Sequence, residues 1–91
     1  MASRIGDFRR KVALGQYELT GHAKDEMEQD GFTIADVKIA VLSGRIIMTQ
    51  RHARQRRKFV IAGKALDGRE LRLVCRLTET GRLRIITVFA G

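Results

Sequence analysis

The sequence predicts an α+β domain, with two or three N-terminal helices packed on one face of a mostly antiparallel sheet of about four strands. Three observations predict it. Apolar residues follow helical spacing as far as Gly44, and strand-like alternation or short apolar runs after it. Two turn signals, Asp67-Gly68 and the Gly81 of TETGR, separate the later runs as hairpins separate strands. Ninety-one residues suit one hydrophobic core, so residues 1–91 are read as a single domain.

Each element has a local reason. Over residues 3–14, Ile5, Phe8 and Val12 share a helical face, Arg9, Arg10 and Lys11 lie outside it, and Gly15 stops the helix. YELT, 17–20, is a short extended link whose Thr20 caps a second helix over 21–29, closed by Gly31. In FTIADV, Thr33 caps a third helix, Asp36 returns the bond to the Thr33 amide, and Phe32 staples onto Val37. Ile34, Val37, Ala40 and Val41 line its apolar face before Gly44 ends it. Strands are then expected at 45–50, 57–64, 69–78 and 82–90.

The turns set the register, and the register sets which side chains share a face. A two-residue turn at Asp67-Gly68 pairs residue 66 with 69 and sets Val60 opposite Cys75. A three-residue loop, 79–81, pairs 78 with 82 and sets Cys75 opposite Ile85. One face then holds Val60, Ala62, Leu71, Leu73, Cys75, Leu77, Leu83, Ile85, Thr87 and Phe89, and is the floor for the helices. The other holds Arg57, Phe59, Ile61, Arg72, Val74, Arg76, Arg84, Ile86 and Val88. That mixture suits a binding surface, with guanidinium groups for phosphates and Phe59 for base stacking. A homodimer interface, or a face half-covered by the first helix, would carry the same mixture.

Charge sharpens the picture. The chain has a formal net charge of +8. Residues 1–44 hold six Lys or Arg against seven Asp or Glu, a net of −1, and residues 45–91 hold twelve against three, a net of +9. A neutral half joined to a basic half points to a polyanion surface built by the second half. An acidic protein partner would satisfy the same charges. The densest run is RHARQRRK, 51–58, of which Arg51, Arg54 and Arg56 are expected to add loop-borne, salt-sensitive affinity for nucleic acid. A single cysteine, Cys75, excludes an internal disulfide and suits a reducing cytoplasm. No signal peptide is expected, and no apolar run reaches the ~18–20 residues needed to span a membrane. The residues imply no cofactor. One cysteine and two histidines are too few for a zinc site, and Asp25, Glu26, Glu28 and Asp30 lack calcium-loop spacing and read as a solvated helix face.

GHAKDEMEQDGFTIADV, with IITVF near the end, resembles the bacterial domain of unknown function family 4258. The matching positions include Thr20, His22, Ala23, Met27, Gly31, Thr33, Val37, Gly44, Gly68, Thr87 and Val88. Glu26 stands where that family usually has arginine, and Phe89 where it usually has tyrosine. The resemblance implies a relation to RelE- and BrnT-like toxins, hence a single toxin-type domain and a metal-independent endoribonuclease. It also implies a small, acidic or DNA-binding antitoxin as protein partner.

Metal-free RNA cleavage needs a base for the 2′-hydroxyl proton, an acid for the leaving 5′-oxygen, and cations for the phosphorane. His22 is the candidate base, because the positive end of a helix dipole favours a neutral imidazole. A histidine there could equally pin the helix to the sheet through a backbone carbonyl. Lys58 and Arg76 are the candidate catalytic cations, with Arg57, Arg72 and Arg84 beside them for binding. Lys58 falls on the core side in this register, at a strand end that can splay. Thr87 carries the resemblance but also lies on the expected core side, and the loop residue His52 is a weak candidate acid.

Overall fold

In the computed structural model, described for residues 3–51 and 56–91, Ser3 accepts the Gly6 amide and opens helix α1, Arg4–Ala13. Phe8 and Val12 are its buried residues, as their spacing requires. Thr20 accepts the Ala23 amide and opens α2, Gly21–Asp30, which Gly31 closes in the left-handed conformation that glycine adopts freely. Arg69 seals this corner from outside. Its guanidinium donates to the Asp30 and Gly31 carbonyls and lies 4.4 Å from the Phe32 ring centroid.

Helix α3, Ile34–Ser43, begins with the expected capping box between Thr33 and Asp36. Ile34 is exposed rather than on the buried face, which Val37, Ala40 and Val41 form. The Asp36 carboxylate, 7% exposed, does more than cap. One oxygen accepts the Thr33 amide and hydroxyl, and the other accepts the Leu66 amide at 3.0 Å, tying the helix start to a distant turn. These bonds hold the carboxyl below its ordinary value, the Thr33 and Leu66 amides first, against the opposing effect of burial. A carboxyl lowered by folding adds stability that is present above its unfolded pKa and lost as pH falls through the folded one. Asp36→Ala should therefore cost about 2–3 kcal/mol at neutral pH. It should also flatten the decline in melting temperature of the wild type between about pH 5 and about pH 3.

The sheet has five strands: β1 Tyr17–Leu19, β2 Arg45–Gln50, β3 Lys58–Lys64, β4 Glu70–Leu77 and β5 Leu83–Ala90. Their order is β1-β5-β4-β3-β2. The expected link at YELT is thus a fifth strand, paired in parallel with Leu83–Ile85, while the other neighbours are antiparallel. Three residues beside an open strand edge suffice for a strand, and no period-2 pattern over so short a stretch announces it.

Two register details reverse part of the expected face assignment. The β3–β4 connection has three residues, not two: Ala65 pairs with Arg69, and Gly68 sits at φ 88°, the left-handed bulge position. The Leu66 amide, freed from the ladder, is the one that Asp36 accepts. Phe59 therefore lies opposite Cys75, and Ile61 opposite Leu73, so β3 turns Phe59 and Ile61 into the core and Val60 and Ala62 outward. In β5 the ladder with β4 shifts by one after Cys75↔Ile85, to Val74↔Thr87. That bulge buries Val88 and turns Thr87 and Phe89 outward.

Helix α3 crosses β3 without a gap. A Cβ on Gly63 or on Gly44 would overlap the Ala40 carbonyl oxygen. The core lies between the helices and this face of the sheet, with Phe8, Val37 and Val41 above and Ile61, Leu73 and Ile85 below. Among the described residues no helix is long and apolar enough to cross a membrane.

Candidate functional site

The corrected register sorts the charged side chains. Because Phe59, Cys75 and Ile85 face the core, their neighbours Lys58, Arg76 and Arg84 face the other way. Arg76 and Arg84 are directly opposite each other, Arg84 is opposite Glu18 of β1, and Lys58 is opposite Gln50 of β2. The outer face thus carries a transverse row of three cations. Beside it lies a less polar row, Met48, Val60, Val74 and Thr87, and beyond that Arg45, Ala62, Arg72 and Phe89. The buried side chains of the helices cluster with the opposite face.

Not every basic residue is available. Arg9 donates to the Gly44 carbonyl, Lys11 to the Gly81 carbonyl and Arg82 to the Tyr17 carbonyl, all local fastenings. Glu18 pairs with Arg84 at 3.0 Å and with Arg82 at 3.7 Å, and Glu79 approaches Arg56 to 3.8 Å. Arg76 Nε, like Arg9 Nε, is buried without a hydrogen-bond partner among the described residues, but Arg76, unlike Arg9, also lines an open cleft.

His22 lies in the first turn of α2, and its side chain is 68% exposed. Its Nε2 is 3.2 Å from the Glu26 Oε1. Spacing i,i+4 brings the two residues together on one helical face. The same carboxylate oxygen accepts the Val88 amide at 3.1 Å, on the edge of β5 past the end of β1. Thr20 fastens the helix start there too, its hydroxyl donating to the Ile86 carbonyl. Glu26 is therefore no solvated helix residue. It caps the amide of Val88, the residue after the outward-facing Thr87, and orients His22.

The expected site residues separate accordingly. His22 and Glu26 lie at the β5 edge, Thr87 is on the outer face next to the Val88 that Glu26 holds, and Lys58, Arg76 and Arg84 form the row, with Arg72 exposed four residues from Arg76 along β4. Lys58 and Thr87 lie on the outer face, not the core side. Phe59 is no stacking platform: it is 4% exposed and meets Phe8 edge-to-face at 5.1 Å between ring centroids. Arg57 turns to the helix side with it, its guanidinium 5.7 Å from the Phe59 ring and that of Arg4 5.2 Å away. Arg51 and Arg56 are exposed, and His52 and Arg54 lie outside the described residues.

Burial pushes the Cys75 thiol up to about 12, which leaves it a packed core side chain rather than a nucleophile. No three His, Cys, Asp or Glu side chains among the described residues gather as metal ligands do. Glu18, Glu26 and Glu79 were not foreseen as site residues. Only Glu26 had a signal, its i,i+4 spacing from His22 and its place where the family usually has arginine.

The family model described as Domain of unknown function (DUF4258) matches residues 19–90. Neither a curated protein nor a solved structure matches the chain. The match spans α2, α3 and strands β2 to β5, and so takes in the β5 edge and the whole cationic row.

Proposed function

The chain belongs to the DUF4258 family, and on that premise we propose that it is a toxin-like, metal-independent endoribonuclease acting on single-stranded RNA. One observation carries the reading: an exposed histidine is held by a carboxylate at the edge of the strand that also presents Arg84. In this reading the RNA backbone lies on the outer face, its phosphates met by Lys58 and Arg76, with Arg84, which Glu18 shares, beside them. Arg72 and Arg45 extend the same surface.

The chemistry follows from the histidine's partner. If Nε2–H donates to Glu26, the neutral imidazole keeps its lone pair on Nδ1. Nδ1 takes the proton of the 2′-hydroxyl, and the 2′-oxygen forms its bond to phosphorus. The bond from phosphorus to the 5′-oxygen breaks, and that oxygen leaves with the electron pair and takes a proton from water. The products are a 2′,3′-cyclic phosphate and a 5′-hydroxyl. Thr87 can donate to a non-bridging phosphate oxygen in the crowded intermediate.

The partner in this reading is a small acidic antitoxin, for which a net charge of +8 is complementary. Expression alone should arrest growth, and co-expression of that partner should relieve the arrest. Purified protein should cleave single-stranded RNA in EDTA. Binding without cleavage would leave the outer face as a non-catalytic module for nucleic acid or an acidic protein. Neutralising Arg51, Arg54 and Arg56 together should lower the slope of log affinity against log salt by about 2, at ~0.7 per phosphate contact on a single strand. Turnover at saturating RNA should not change.

A further inference from the structure

We propose that the cleft where the cationic row meets the β4–β5 turn is a discrete phosphate pocket centred on Arg76, separate from the His22–Glu26 pair. The cleft has a volume of about 320 Å³, and Arg56, Arg76 and Arg84 line it with the hydroxyl-bearing Thr78 and Thr80. Two carboxylates stand at its sides, each beside a flanking arginine: Glu18 on Arg84 and Glu79 on Arg56. The central guanidinium has neither. Arg76 Nε is shut off from solvent and bonds to no described residue, as is Arg9 Nε, but only Arg76 lines this cleft, where a ligand can meet the rest of its guanidinium.

The register adds a second reason. Arg76 and Arg84 are directly opposed on neighbouring strands, and like charges so placed repel. Glu18 already offsets the charge of Arg84, and an anion bound at Arg76 would offset the other. A phosphate group fits better than a carboxylate, because it offers oxygens to two guanidinium forks and to a threonine hydroxyl at once. Thr80 and Thr78 are oriented for this by their mutual contact at 3.1 Å and by the Arg82 amide, which donates to Thr78.

The proposal rests on the RNA reading for the strand that would carry the phosphate. Arg84 and Thr87 are three residues apart on β5, roughly 10 Å at ~3.3 Å per residue. The pocket therefore holds a neighbour of the reacting phosphate and sets where the strand stops relative to His22.

Inorganic phosphate titrated into the full chain, followed through arginine Nε–H signals by NMR, tests the pocket without RNA. The Arg76 signal should move first and saturate, and Arg76→Gln should weaken the binding about tenfold or more. Arg76→Lys, which keeps the charge and loses the fork, should also bind more weakly while leaving the fold intact. It supplies the answer if Arg76→Gln does not fold. A shift that never saturates and spreads equally over Arg45 and Arg72 would mean an ion atmosphere and overturn the pocket. Unchanged affinity in Arg76→Lys and Arg76→Gln would overturn it too. Short RNAs with and without a 5′-phosphate then identify the natural source, since competition by both assigns a backbone phosphate and competition by the phosphorylated strand alone a terminal one. Phosphate binding without RNA cleavage would overturn the nuclease and leave the pocket, and cleavage without phosphate binding would do the reverse.

Discussion

Gly63→Ala should cost about 3 kcal/mol, at the upper end of the range for overpacked cores. The added methyl meets no flexible side chain that could swing aside. It meets the backbone of α3 at Ala40, its carbonyl oxygen first, so the helix as a whole must lift from β3. Lifting it loosens Val37 and Val41 from the core and strains the bond from Asp36 to Leu66. For a domain with total stability of about 5–15 kcal/mol, that is a large fraction. The urea midpoint reports it directly. Gly21→Ala is the control: a Cβ there meets nothing within 4 Å, and alanine favours the helix. An unchanged midpoint for Gly63→Ala would mean that α3 does not press on β3 as described.

His22→Ala should slow RNA cleavage by roughly 10²–10⁴-fold, the usual contribution of a positioned general base. The loss should appear in single-turnover rates at saturating RNA, with affinity nearly unchanged, because the phosphates bind to the cationic row. Glu26→Gln separates orientation from structure. The amide oxygen can still accept the Val88 amide, but the charge beside the imidazole is gone. Cleavage should fall while the melting temperature stays close to that of the wild type. Equal rates for His22→Ala and wild type would remove His22 from the chemistry.

The helices were legible because their signals are local. Thr20 and Thr33 cap where their side chains reach a nearby amide, and Gly31 closes α2 within the same stretch of chain. Which face of a strand meets the core is not local in that sense. Asp67-Gly68 reads as a tight turn, yet Asp36, thirty residues away in sequence, accepts the Leu66 amide and the loop takes one more residue. That single residue moved Phe59 from a candidate stacking platform into the core against Phe8, and brought Lys58 out beside Arg76. The bulge in β5 did the same for Thr87 and Val88, with no glycine at the shift to announce it. In the site, His22 stood out by its place in a capped first turn. Glu26 was hidden as one of four acidic residues on the helix, because its backbone partner is an amide 62 positions away.

The chemistry of the cut ends tests the central claim most directly. Single-stranded RNA incubated with the protein in EDTA should yield fragments ending in a 2′,3′-cyclic phosphate, with a 5′-hydroxyl on the other piece. That pair of ends arises when the 2′-oxygen attacks after losing its proton to a side chain. Intact RNA, or fragments bearing a 3′-hydroxyl and a 5′-phosphate, would contradict the account.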